Sequence, residues 1–119
     1  SQEEYEDMQE ELMDRFGEPP KAVENLLAIA ALKALAHKVY ITEIKQTGKD
    51  VKIIMFKRAK LDPAGFPGIL EKYKNNLKMH LEEPPYFQVS LKGRKPKETL
   101  DVLVFLKSIL TDFLPLAEE

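Results

Sequence analysis

Two histidines, His37 and His80, and two sets of neighbouring carboxylates, Glu82 with Glu83 and Asp7 with Glu11, are the side chains of this 119-residue chain best suited to acid, base or metal chemistry. Metal binding needs three or four ligands at suitable spacing, and two isolated imidazoles without a cysteine do not supply them. The histidines therefore read as surface or helix-end residues. General acid catalysis needs a carboxyl group whose pKa is raised by burial in a cleft. Neither carboxylate pair lies in a pattern that buries it. Phosphate loops, nucleophile elbows, dinucleotide fingerprints and paired zinc histidines are all missing, and five scattered glycines make no cradle. The expectation is a chain without catalytic, cofactor-binding or metal residues.

Cationic residues offer a different kind of chemistry. Lys57-Arg58-Lys60, Lys72-Lys74-Lys78 and Lys92-Arg94-Lys95-Lys97 could meet phosphates if the fold brought them to one side. Against that reading stand a pI near 5.8, few aromatic residues for stacking, and no helix-turn-helix, OB or RRM signature. A nucleic-acid-binding accessory domain using segments 57–60, 72–78 and 92–97 is the alternative reading, and direct nucleic-acid contact is disfavoured. Lysines bordering strands also discourage edge-to-edge pairing.

Charge is distributed unevenly behind a net value of −2. Residues 1–14 carry Glu3, Glu4, Glu6, Asp7, Glu10, Glu11 and Asp14 and no base, whereas residues 33–97 hold fifteen Lys or Arg against six acids. Such polarity steers partners or keeps a surface solvated. The absence of Cys excludes thiolate sites and disulfides and fits a reducing cytoplasm. The longest apolar run, Leu26–Leu32, is far below the roughly 20 residues of a membrane span, and no leader pattern opens the chain. A soluble domain without membrane contact or small-molecule substrate is expected. The chain opens in mid-pattern without Met, as an excised piece of a larger protein would.

These residues are positioned by an alternation of helices and strands. Tyr5, Met8, Leu12 and Phe16 recur at helical spacing, predicting a helix over 2–16 with this stripe facing the core. At about 100° per residue, Asp7, Glu11 and Asp14 fall within roughly 60° of one another on another face. Gly17 can end that helix in the left-handed conformation, and Pro19-Pro20 can begin the next. The second helix, from about Pro20 to Lys38, is apolar on nearly every side and is expected to be central. Strands over 40–46, with Tyr40, Thr42 and Ile44 on one face, and over 51–56 flank a turn at Thr47-Gly48-Lys49-Asp50. Asp62-Pro63 caps a short turn before a helix from about Pro67. A second strand pair covers 78–81 and 86–91, and a last helix begins near Pro96 and stops before Pro115, with Val102, Leu103, Phe105, Leu106, Ile109, Leu110 and Phe113 as its stripe. The order ααββαββα predicts an α+β fold, helices packed on antiparallel sheet, in a single domain over 1–119.

Residues 11–20, Glu-Leu-Met-Asp-Arg-Phe-Gly-Glu-Pro-Pro, followed by Val23, Asn25-Leu26-Leu27 and Leu32-Lys33-Ala34-Leu35-Ala36, resemble the C-terminal domain of bacterial transcription-repair coupling factors. The resemblance is close over about 26 residues, and the order of the later elements extends it to the chain end. One departure is Tyr40, where the family usually has Gly before Ile; a left-handed cap is uncomfortable there, so a helix end of different build is expected. The resemblance implies a regulatory domain of a DNA translocase that removes stalled RNA polymerase and recruits excision repair, with the motor outside this chain. It implies docking on the N-terminal, UvrB-like repair module of the same parent protein, in competition with UvrA. Glu11 and Asp14, with Asp7 on the same stripe, are the expected partner contacts. The competing role for Glu11 is an ion pair with Arg15 one turn away.

Overall fold

Alternating burial on β2 and β4 sets the plan of the molecule, which is known from a computed structural model describing residues 1–118. Val51, Ile53 and Met55 of β2 (Asp50–Met55) and Phe87 and Val89 of β4 (Tyr86–Ser90) point into one core, while the residues between them face the other way. Both strands pair antiparallel, and β1 (Ile41–Thr47) and β3 (Leu77–His80) complete a four-stranded sheet of order β1-β2-β4-β3. The two local hairpins are thus joined edge to edge into one sheet. Gly48, first of the two residues linking β1 to β2, takes φ 63, the positive angle such a hairpin loop needs there.

The helices are α1 (Gln2–Phe16), α2 (Lys21–Lys38), α3 (Phe66–Lys72) and α4 (Thr99–Phe113), with 3-10 turns at Pro63–Gly65 and Leu114–Leu116. The fold is α+β in the order expected. The α4 stripe is the centre of the core: Val102, Phe105, Leu106, Ile109, Leu110 and Phe113 are buried and Leu103 is half-buried against them. Phe66, Phe87 and Phe113, from α3, β4 and α4, meet pairwise at 5.0 to 6.0 Å between ring centroids. Edge-on and tilted contacts of this kind add to the apolar area they bury. The carboxylate of Asp112 fastens α3 to α4 by accepting from Lys72 Nζ at 2.8 Å and from the Tyr73 hydroxyl at 2.6 Å. At the chain end Leu61 bridges Ala117, and Gly65 is glycine because a Cβ there would strike the Leu116 side chain.

Several expectations are corrected. No residue of α1 is buried; Phe16 is 78% exposed, and Met8 and Leu12 are about half exposed, so the stripe does not face the core. The later elements bury one another without it. A radius of gyration of 15.5 Å, against roughly 13.5 Å for a compact chain of this length, reflects the same extension. Nor is α2 central: only Leu32 and Ala36 are buried, against α4 and β1, and its first half leaves Val23 and Leu26 exposed.

In β1 the bulge between Ile41 and Glu43 moves the core face to Ile41 and Ile44, with Thr42 exposed. The last helix starts at Thr99 rather than near Pro96, because Asp101 Oδ2 accepts the Lys97 and Glu98 backbone N–H groups and so sets the cap. Tyr40 adopts φ 63 after all, and its N–H reaches the His37 carbonyl at 3.4 Å. Its carbonyl accepts from Phe56 N–H at 2.8 Å, and its half-buried side chain packs on the core, which together hold a non-glycine residue in the left-handed region. Gly17 has φ 76 but ψ −167, outside the left-handed helical well and in a region essentially reserved for glycine.

Candidate interaction surface

Local sequence builds α1 as a free-standing helix. Ser1 caps it by accepting the Glu4 N–H at 3.2 Å, and Glu3 and Glu4 lie at its positive end, where negative charge is favourable. Gln2 bonds Glu6 at 3.1 Å, and Arg15 pairs with Glu11 at 3.1 Å. Every one of these contacts lies within the helix. Its end is fixed by Gly17, whose N–H returns to the Met13 carbonyl at 2.9 Å, and the chain enters α2 through Pro19-Pro20.

The structure brings Asp7, Glu11 and Asp14 onto one exposed face of α1. Asp7 and Asp14 have no ion-pair partner among the described residues, whereas Glu11 holds Arg15. The opposite face carries Met8, Leu12 and Phe16, all exposed, and Leu26 of α2 is 65% exposed. Sequence reasoning missed this apolar half of the surface by assigning it to the core. The available signal was numerical: α4, with parts of α2 and α3, supplies the apolar residues of the helical side of the core.

The part-buried titratable pair between α3 and α4, Asp112 with Tyr73, serves the fold. Burial pushes the Asp112 carboxyl upward, but hydrogen bonds from Lys72 and Tyr73 outweigh it and keep the group below its usual range. Burial first, then hydrogen bonding to Asp112, raises the Tyr73 hydroxyl. A carboxylate held ionised beside a phenol held neutral locks α3 to α4. His80 stacks on Tyr86 at 4.6 Å and bonds Gln88 at 2.9 Å, while His37 lies exposed in the last turn of α2. Among the described residues no three His, Asp or Glu side chains group as metal ligands, and no helix is long and apolar enough to cross a membrane.

The basic segments are partly spent on structure. Lys57 faces Glu83 at 4.0 Å, Lys72 faces Asp112 and Lys74 faces Glu71 at 3.4 Å. The Arg94 guanidinium lies 3.6 Å from the Phe105 ring centroid.

Known proteins agree with this arrangement of elements. Residues 1–66, from α1 through both strands of the first hairpin, match the profile of the TRCF domain. The chain is 31% identical over 111 residues, 90% of its length, to the transcription-repair-coupling factor of Bacillus subtilis strain 168, and spans 9% of that protein. The crystal structure of the C-terminal domain of transcription-repair coupling factor superposes with a TM-score of 0.75 at 25% identity, covering 94% of this chain and 70% of that one. With the profile covering more than half its residues, the chain belongs to the TRCF domain family, the C-terminal region of transcription-repair coupling factors.

Proposed function

We propose that this chain is a non-catalytic regulatory domain that docks on the N-terminal, UvrB-like repair module of its own parent protein. In that position it covers the surface that recruits UvrA and restrains the DNA translocase until RNA polymerase is engaged. The observation that carries the reading is α1: a fully formed helix with an acidic face, an exposed apolar face and no buried residue. An amphipathic element left uncovered is suited to a partner surface.

Asp7, Glu11 and Asp14 supply charge complementarity to a basic partner, which favours orientation and association rate over raw affinity. Met8, Leu12 and Phe16 supply the apolar area. Met and Phe are among the residues enriched in interfaces. The module would therefore grip the helix from two sides.

A tethered contact of this kind can be modest and still dominate. With an intrinsic Kd of about 10 μM and an effective concentration of about 1 mM, the closed form outweighs the open one about 100 to 1, or about 2.7 kcal/mol. Polymerase or UvrA can overturn a bias of that size. A much tighter interface would lock the parent protein off.

Competition tests the reading. UvrA captured on the immobilised N-terminal module should be displaced by excess of this chain and not by its Phe16→Ala variant. Retention of UvrA at saturating chain concentration contradicts masking.

A further inference from the structure

We infer that the face of the sheet turned away from the core is a binding surface for single-stranded nucleic acid. The pairing register puts Lys45 of β1 opposite Lys52 of β2, Lys52 opposite Gln88 of β4, and Gln88 opposite Lys78 of β3. One rung thus reads Lys-Lys-Gln-Lys across all four strands, over roughly 15 Å at ordinary strand spacing. All three lysines are exposed, and none has an ion-pair partner among the described residues. Like charges directly opposite on adjacent strands cost stability. An anion lying along the rung removes that cost.

The next rung adds two aromatic rings. It runs Glu43, Ile54, Tyr86 and His80, in which the His80 and Tyr86 rings stack at 4.6 Å and 11°. Lys52 Nζ lies 4.2 Å from the Tyr86 ring centroid, and the His80 imidazole is held by Gln88 of the lysine rung. With the Tyr86 ring between His80 and the Lys52 ammonium, the outer face of His80 is the one left for a base, so a single strand would set phosphates on the lysines and a base on that ring. The carboxylates near this face are Glu43, at the β1 end of the aromatic rung, Asp50, one rung beyond Lys52 on β2, and Glu82, whose proximity raises the Tyr86 hydroxyl. They favour a phosphate path along the lysine rung rather than across it. An acidic peptide would satisfy the lysines but leave the rings without a role. Only Lys78 belongs to the basic segments singled out from sequence; Lys45 and Lys52 become neighbours through β-pairing alone.

Fluorescence anisotropy of a labelled oligothymidylate of about 12 nucleotides tests the surface. Binding at low salt is expected to weaken with a log–log salt slope of about −2, since each phosphate neutralised on a single strand contributes about 0.7. Joint Lys45→Gln, Lys52→Gln and Lys78→Gln should lower affinity at least tenfold and flatten the slope, with an unchanged circular dichroism spectrum. His80→Ala should weaken binding severalfold at unchanged slope. Glu11→Lys, on the helix proposed to meet the repair module, should leave affinity within twofold. The inference is overturned by absence of binding at low salt, by binding the triple variant retains, by tighter binding to duplex of equal length, or by equal binding to a glutamate-rich peptide.

Discussion

Arg15 holds Glu11 at 3.1 Å across one turn of α1, and both side chains remain about two-thirds exposed. Such a pair contributes a few tenths of a kcal/mol to a helix. Glu11→Lys should therefore change the thermal midpoint by no more than a degree or two while weakening association with the repair module severalfold. Equal affinity in titration calorimetry would remove Glu11 from the interface. Asp7→Lys, which breaks no ion pair, separates loss of contact from loss of the Arg15 pairing.

Two phenylalanines with opposite environments give a contrast. Phe113 is fully buried among Phe66 and Phe87, so Phe113→Ala should cost about 3–5 kcal/mol in denaturant unfolding. Phe16 is 78% exposed, and Phe16→Ala should cost less than about 0.5 kcal/mol. If Phe16→Ala proved as damaging as Phe113→Ala, α1 would be packed on the core in solution.

The backbone at Tyr40 makes a prediction whose sign is diagnostic. At an ordinary position Ala is more stabilising than Gly by about 0.4–1 kcal/mol. At φ 63 the Cβ is penalised by about 1–2 kcal/mol, and both replacements remove the same ring. Tyr40→Gly should therefore be more stable than Tyr40→Ala; the reverse order by thermal unfolding would mean that Tyr40 leaves the left-handed region.

The pH dependence follows from Asp112. Burial acts against its charge, but the Lys72 and Tyr73 hydrogen bonds prevail, so its folded pKa is depressed. Its stabilising contribution is complete above the unfolded carboxylate range, near about 3.9, and is lost as pH falls through the lower folded value. Lys72 is raised, chiefly by its hydrogen bond to Asp112, so its share is complete below the unfolded value near about 10.5 and is lost as pH rises through the higher folded one. Asp112→Asn should flatten both limbs of a midpoint-against-pH curve. A variant curve parallel to wild type at both ends contradicts this assignment.

The fold was legible in sequence where periodicity and partner coincide. The α4 stripe from Val102 to Phe113 has helical spacing, and all its members lie in or against the core. The α1 stripe has the same spacing and no buried member. Periodicity reports that a face is apolar, and says nothing about whether the covering surface lies within the chain or outside it. The joining of two hairpins through β2 and β4, which aligns Lys45, Lys52 and Lys78, was likewise hidden, because register between distant strands leaves no local mark. Tyr40 shows the same limit: its left-handed angle is sustained in part by the hydrogen bond from Phe56, which is not adjacent in sequence.

Association with the repair module in trans is the most direct test of the central claim. Titration calorimetry of this chain into the separately purified N-terminal module should give a Kd of about 10 μM that weakens with salt and is reduced by Asp7→Lys, Asp14→Lys and Phe16→Ala. Absence of heat at module concentrations well above that value, or binding indifferent to every α1 substitution, would contradict it.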